Sequence, residues 1–300
     1  MEELEDDKII VQSLIGGNQL PFYLNCLKSL LAFCQDRIEL QLHTDGSLSQ
    51  KEKDFIHAQL TGTIVTISEP SENKSRVLDC LHGRPNCQKF RKNSIWGIEF
   101  FDPIYAFPED PISFYLDADI LFLRPFSRLF DRNQVKGGAV FLKDTQWDAY
   151  SFRPWQMLAG KKRPQVVEGI TTGLVFWDKA SIDWDYLEWF LGENRLHRIP
   201  EWIMPTVQAG LAHRCEAKTI CPRQITNLYP NAQIHVDTVG VHLLGSYRKE
   251  WMQKLEAKEK NQTEKLPTLT PSFERCESQN IFGYSLRQIR RWKNTRLDLW

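Results

Sequence analysis

Short apolar runs alternate with amphipathic segments in the first part of the chain. Runs rich in β-branched and aliphatic residues at 8–14, 38–43 and 63–67 predict strands. Helical spacing of apolar residues after Pro21 predicts one helix, and the segment 49–60 is consistent with a second, polar-faced helix. This order of elements is typical of a parallel sheet with crossover helices. Such sheets bind ligands at the carboxyl ends of their strands.

A pair of aspartates interrupts the most apolar stretch of the chain. The strand-like run 112–116 stops at Asp117-Ala118-Asp119, and a second apolar run begins at Ile120. Because unpaired carboxylates are costly to bury, they indicate a strand end, a cleft or a cation site. With one residue between them, both can face one hard divalent cation. The segment 183–185 has the same spacing, but it lies in a predicted helix.

The later part of the chain continues the α/β pattern. The sequence predicts a loop over 69–87 and a helix over 90–101, and it leaves open whether the aromatic residues of 143–163 stack on a sugar or pack against the sheet. Further strands are predicted at 137–142, 174–177 and 233–241, and further helices at 183–191, 201–212 and after 248.

Composition narrows the class of protein. The 300 residues include 38 Lys and Arg and 38 Asp and Glu. The chain therefore has no surplus of basic residues of the kind that would indicate binding to nucleic acid. An acidic beginning and the absence of a long apolar run predict a cytoplasmic protein. The seven cysteines form no C-x-x-C pair and are expected to be reduced thiols.

His242 is a further candidate metal ligand, because it follows a predicted strand and is followed by the basic residues Arg248 and Lys249. Asp117, Asp119, an imidazole and two phosphate oxygens would complete the octahedron that Mn²⁺ or Mg²⁺ prefers. Arg248 or Lys249 would then neutralise a departing diphosphate.

A turn after the first predicted strand gives a further candidate contact with a nucleotide, at Gly16 and Gly17. Neither G-x-G-x-x-G nor a P-loop motif is present.

The D-x-D after an apolar strand, together with His242, Gly245 and Arg248 in an H-x-x-G-x-x-[KR] pattern, resembles the GT-A glycosyltransferases. The sequence is most similar to glycosyltransferase family 8, the group of glycogenin and the lipopolysaccharide galactosyl- and glucosyltransferases. The resemblance implies a Rossmann-like nucleotide-diphospho-sugar transferase fold with a mixed, mainly parallel central sheet flanked by helices. It implies such a domain at 1–251, with a charged C-terminal extension at 252–300 packed on or beside it.

The same resemblance implies a metal-dependent, retaining transfer from a nucleotide-diphosphate sugar, expected to be UDP-linked. Asp117, Asp119 and His242 would hold Mn²⁺ or Mg²⁺, and Lys92 would contact the donor, with Arg91 as its alternative. Gly245, Arg248 and Lys249 would lie at the diphosphate. The acceptor would be a glycan, a lipid-linked sugar or a small molecule.

Two departures from the family concern the acceptor side. Thr171-Thr172-Gly173 stands where the family has Asn-Ser-Gly, and Pro200-Glu201-Trp202 stands where many members have an Asp-Gln pair. Glu201 is therefore the candidate catalytic carboxylate, and Glu168 is its rival. A sugar-phosphate nucleotidyltransferase and a non-catalytic carbohydrate-binding protein remain alternatives.

The C-terminal segment 284–300 is basic and amphipathic. It predicts either a helix that docks on the domain or a peripheral contact with an anionic membrane. Its cations and apolar residues are Arg287, Arg290, Arg291, Lys293 and Arg296, and Leu286, Ile289, Trp292 and Leu297.

Overall fold

The computed structural model describes residues 8–146, 148–158, 163–245, 247–259 and 266–297, without the side chains of 256–259 and 291–297. The strands are β1 Ile9–Ile15, β2 Ile38–Thr44, β3 Val65–Ser68, β4 Ile112–Leu116, β5 Ile120–Phe122, β6 Gly138–Lys143, β7 Ile170–Asp178, β8 Glu216–Ile220, β9 Ile225–Asn227, β10 Gly240–His242 and β11 Phe273–Arg275. The helices are α1 Leu20–Phe33, α2 Gln50–Gln59, α3 Pro70–Cys80, α4 Pro85–Asn93, α5 Ile95–Ala106, α6 Arg132–Val135, α7 Trp184–Gly192, α8 Ile203–Ala212, α9 Arg248–Glu259 and α10 Ile281–Leu297.

The main sheet has eight strands in the order β11-β8-β6-β7-β4-β1-β2-β3. Strands β3, β2, β1 and β4 are parallel, β7 is antiparallel to both β4 and β6, and β6 is parallel to β8. The predicted mixed, mainly parallel sheet flanked by helices is confirmed. The carboxyl ends of β1 and β4 therefore lie at the same edge of the sheet.

A small second sheet, in the order β5-β10-β9, begins directly after the two aspartates. Strand β10 is antiparallel to β5, and His242 pairs with Ile120. The backbone N–H of Leu243 also donates to the carbonyl oxygen of Asp119 at 3.0 Å. This pairing brings a histidine from late in the chain beside the carboxyl end of β4.

Apolar side chains fill both faces of the main sheet. Leu30 of α1 and Phe114 of β4 belong to the core on one face, and Trp177 of β7 and Val207 of α8 belong to the core on the other. Full burial of such a side chain contributes about 1.5–3 kcal/mol. A rigid sheet packed from both sides holds the loops at its edge in place.

The loop predicted over 69–87 is wrong, because α3 and the start of α4 occupy it. Pro70 is at the first position of α3, and Glu69 and Glu72 form a capping box around it. A proline at this position favours helix initiation, and it was a signal available in the sequence. The polar composition of the segment instead favoured the prediction of a loop.

The single helix predicted over 90–101 is also wrong, because α4 ends and α5 begins at Ser94. Gly97 allows the two helices to approach closely, since a Cβ there would lie 2.5 Å from the carbonyl oxygen of Phe90. The strand predicted over 233–241 is limited to β10. Strands β8, β9 and β11 were not predicted.

The aromatic residues of the segment 143–163 are partly buried and partly exposed. Tyr150 and Phe152 are buried against Tyr284 of α10, whereas Trp155 is exposed. Over the described residues no helix has the length and hydropathy needed to cross a membrane. All seven cysteines are free thiols.

Candidate metal and donor site

Three side chains converge at the carboxyl end of β4. One ligand atom from each of Asp117, Asp119 and His242 lies within 4.8 Å of the other two. His242 Nε2 is 3.2 Å from Asp119 Oδ1 and 3.9 Å from Asp117 Oδ2. The structure thus places the three predicted metal ligands around one point, although they come from two different sheets.

Asp117 is held in position by its neighbours on β4 and β7. The hydroxyl of Tyr115 donates to Asp117 Oδ1 at 2.8 Å, and the backbone N–H of Asp117 donates to the carbonyl oxygen of Gly173 at 2.8 Å. Gly173 has a steric role as well, since a Cβ there would lie 2.6 Å from Cε1 of His242. A glycine at this position of β7 makes room for the imidazole.

Asn227 determines which nitrogen of His242 faces the carboxylates. Asn227 Nδ2 donates to the carbonyl oxygen of Lys143 at 3.1 Å, so its Oδ1 is directed at His242 Nδ1, 2.8 Å away. That contact requires a proton on Nδ1. In the neutral ring the lone pair is then on Nε2, which faces the two aspartates, as metal-binding histidines require.

The pKa values in this cluster reflect the close approach of two carboxyl groups and one imidazole. Burial and then the charge of Asp119 raise the pKa of Asp117 to about 7. Burial alone would raise the pKa of Asp119, but His242 and Arg248 hold it below its ordinary value. Burial would lower the pKa of His242, yet the charge of Asp119 raises it. The site therefore attracts positive charge.

These residues fit a divalent cation. Asp119 Oδ1 is buried and makes no hydrogen bond in the structure, although it faces His242 Nε2. When the imidazole is neutral and its Nε2 carries a lone pair, this buried oxygen has no donor, and such an oxygen is expected to have a ligand. Two carboxylates and one imidazole are ligands that divalent cations accept in proteins.

Arg248 joins this cluster to the end of β1. Its guanidinium forms an ion pair with Asp119 Oδ2 at 2.6 Å, donates to Gln19 Oε1 and stacks over the ring of Phe22 at 4.4 Å. Gln19 ends the short helical turn that begins at Gly17. Arg248, which was predicted to bind diphosphate, therefore lies at the same edge of the sheet as the predicted glycine turn.

The glycine turn is closely packed on one side. A Cβ at Gly16 would lie 2.3 Å from Asp45 Oδ2, and the backbone N–H of Gly17 donates to Ser47 Oγ at 2.8 Å. Gly16 thus permits the loop after β2 to approach β1. Its backbone lies at the edge where the sheet would bind a nucleotide.

Three other residues were predicted to contact the donor, namely Gly245, Lys249 and Lys92. Gly245 has open space around it, and Lys249 is exposed at the start of α9. Lys92 is exposed in the last turn of α4. Its alternative Arg91 is buried and binds Asp102 through two nitrogens, so Arg91 has a structural partner instead of a free guanidinium.

The two candidate catalytic carboxylates lie outside the Asp–Asp–His cluster. Glu201 is exposed in the short turn that precedes α8. Glu168 lies just before β7 and forms ion pairs with Arg287 at 2.8 Å and with Lys143 at 3.6 Å.

Glu99 of α5 is a third acid near the aspartates that the sequence did not indicate. Burial and then the charges of Asp117 and Asp119 shift its pKa well above its ordinary value. Nothing in the sequence pairs it with Asp117, because it lies on a helix and has no motif of its own. Asn227 of β9 and Gln19 also belong to no motif, so the sequence did not indicate them either.

Comparisons with known proteins show the fold. No protein-family model matches the chain, and no curated protein does. Among solved structures, mouse xyloside xylosyltransferase 1 in its apo form is 12% identical, with a TM-score of 0.54 over 78% of this chain and 97% of that chain. An active-site mutant of LgtC is 15% identical, with a TM-score of 0.49 over 83% of this chain and 96% of that chain. The chain has the GT-A fold of glycosyltransferases, as the motifs predicted.

Proposed function

We propose that this protein is a metal-dependent glycosyltransferase that moves a sugar from a nucleotide-diphosphate donor, UDP-linked, to an acceptor hydroxyl with retention of configuration. One observation carries the proposal. Asp117, Asp119 and His242 converge at the strand edge where a GT-A sheet binds its donor, and Arg248 lies beside them.

Some residues of the site would bind the donor, and others would neutralise the charge of the departing diphosphate. A divalent cation bound by the two aspartates and His242 would stabilise negative charge on the departing diphosphate. Arg248 would leave Asp119 and bind a phosphate oxygen, and Lys249 would add a second positive charge. The backbone of Gly16 and Gly17 would contact the nucleotide. Lys92 would reach the donor from α4.

The acceptor would bind beyond the start of β7. Thr171 and Thr172 precede Gly173, whose carbonyl oxygen accepts from the N–H of Asp117. Glu168 lies two residues ahead of this strand, so it is the better placed of the two candidate carboxylates, and Glu201 is the alternative. Orientation of the acceptor hydroxyl would supply much of the rate enhancement.

A glycosyltransferase domain at 1–251 with a C-terminal extension at 252–300 is the proposed organisation. The extension contributes β11 to the edge of the main sheet and packs α10 beside the segment 154–157.

Isothermal titration with UDP and Mn²⁺ tests the proposal. The wild-type protein should bind UDP only with the metal, and Asp119→Ala should abolish that binding. Asp185→Ala is the matched control, because Asp185 belongs to the other D-x-D triplet and is exposed on α7. UDP binding that persists in Asp119→Ala, or that needs no metal, would contradict the proposal.

A screen of nucleotide sugars then identifies the donor. Slow, metal-dependent release of free sugar from one of them would establish turnover and exclude a purely carbohydrate-binding role. Release of pyrophosphate from a nucleoside triphosphate and a sugar phosphate would instead identify a nucleotidyltransferase.

A further inference from the structure

Helix α10 exposes an apolar stripe on the side that faces away from the protein. Phe282 is 80% exposed, and Leu286 and Ile289 are more than half exposed. The spacing of four and three residues places them on one face of the helix. Trp155 and Leu158, from the segment against which α10 packs, are also more than half exposed. These five residues are called the α10 surface below.

The docking of α10 on the protein does not use this stripe. Its contact is made by the opposite face, where Tyr284 is buried and donates a hydrogen bond to the carbonyl oxygen of Phe152 at 2.5 Å. Arg287 on that side reaches Glu168. The expectation that Leu286 and Ile289 dock the helix is therefore wrong. The other two apolar residues of that expectation, Trp292 and Leu297, have side chains outside the described residues.

The two segments that carry the α10 surface are basic in sequence. Two segments, 281–297 and 151–165, contain no Asp or Glu, although acids and bases are equal in number over the whole chain. Their cations are Arg287, Arg290, Arg291, Lys293 and Arg296 in the first segment, and Arg153, Lys161, Lys162 and Arg163 in the second. Arg153 stacks over the ring of Trp155 at 4.7 Å.

We propose that the α10 surface rests on an anionic lipid membrane. Exposed apolar side chains on and beside a helix of basic sequence are what an interfacial contact needs, because the apolar face enters the acyl boundary while Arg and Lys meet lipid phosphates. A nucleic acid would be bound by the cations alone and would leave the apolar stripe in water. The stripe therefore favours a membrane.

The position of α10 also gives the contact a role at the site. Arg287 joins the helix to Glu168, just ahead of β7, whose first residues run beside the two aspartates. An acceptor carried on a membrane lipid would be presented on this side of the site. This last step rests on the proposed glycosyltransferase function, whereas the membrane contact itself does not.

Vesicle co-sedimentation of the full chain tests the contact. Wild-type protein should bind vesicles of phosphatidylcholine with phosphatidylglycerol and bind vesicles of phosphatidylcholine alone much more weakly. The double variant Leu286→Ser with Ile289→Ser should lose roughly tenfold or more of the binding, since two apolar side chains no longer enter the bilayer. Ile64→Ser is the matched control, because Ile64 is also exposed but precedes β3.

Two results would overturn the membrane contact. One is a wild-type protein that does not bind anionic vesicles, or a double variant that binds them as well as wild type. The other is a wild-type dimer, seen by light scattering, that the double variant converts to a monomer without any vesicle binding. An unchanged urea-unfolding midpoint shows that the double variant is folded, and this control depends neither on the proposed function nor on the vesicle result.

Discussion

His242 Nδ1 lies 2.8 Å from Asn227 Oδ1, and this hydrogen bond directs the other ring nitrogen at Asp117 and Asp119. Neither residue could do this alone, because an imidazole without a fixed partner can place its proton on either nitrogen. The amide of Asn227 is itself fixed by the carbonyl oxygen of Lys143. The first prediction concerns this contact.

Replacing Asn227 with Leu should weaken Mn²⁺ binding by about 10- to 100-fold, the usual effect of losing a partner of a metal-binding histidine. Titration calorimetry with the metal alone measures it. Asn227→Asp keeps an oxygen that accepts from Nδ1, so it should bind the metal better than Asn227→Leu. Equal affinities in wild type and Asn227→Leu would remove Asn227 from the site.

Gly173→Ala should prevent His242 from occupying its present position. The new Cβ would lie 2.6 Å from Cε1 of the ring, and His242 is buried, so the overlap should destabilise the protein by about 1–3 kcal/mol and abolish metal binding. Urea unfolding and metal titration measure the two effects. Gly245→Ala is the control, since a Cβ at Gly245 meets nothing within 4 Å. An unaltered metal affinity in Gly173→Ala would show that the imidazole does not need this space.

Arg248→Gln should change two affinities in opposite directions. Arg248 occupies Asp119 Oδ2 at 2.6 Å, so its removal should strengthen the binding of Mn²⁺ alone, by a few-fold. The same variant should bind UDP with Mn²⁺ about tenfold more weakly, because one charge-assisted hydrogen bond to phosphate is lost. Parallel titrations with and without UDP separate the two. A loss of both affinities would assign Arg248 a purely structural role.

His43 should make the protein sensitive to acid. Burial lowers its pKa from 6.5 to about 3, and its ring nitrogens contact Gln12 and Ser68 as a neutral imidazole. Because the unfolded chain binds a proton that the folded chain does not, stability is complete above pH 6.5 and falls with decreasing pH, by about 1.4 kcal/mol per unit.

Urea unfolding of wild type and His43→Gln at several pH values between about 6 and 4 measures this slope. The variant should lose less stability per pH unit than wild type. His57→Gln is the matched control, because it removes an imidazole that is exposed on α2. Parallel slopes for wild type and His43→Gln would show that the buried ring does become protonated.

The sequence predicted the parts of the fold that have a strong local pattern. The run 112–116 is apolar at every position except Ser113, and the segment 49–60 has the pattern of a polar-faced helix, so both elements were found. Strand β9 has three residues and no pattern long enough to detect, and β10 has only three residues at the end of a longer predicted run. Their pairing with β5 is a tertiary property that local sequence does not encode.

The candidate site was predictable where its chemistry is expressed in a motif. Asp117 and Asp119 are close in sequence, and a six-coordinate ion requires more ligands, which led to His242. Asn227 and Gln19 support the site through hydrogen bonds across the fold, and Glu99 adds a buried acid near the aspartates. Such residues have no fixed distance in sequence from the groups that they contact, so only the structure shows them.

The last strand of the small sheet in chain order, β10, delivers His242 long after β4 and β5 have left the ribosome. The two aspartates can therefore gain their imidazole neighbour only once the chain has been made beyond Leu243 and β10 has added to β5. Any ion held by all three residues would close a loop of more than a hundred residues in the folded state. By mass action it would then favour the completed protein over every shortened or partly assembled form.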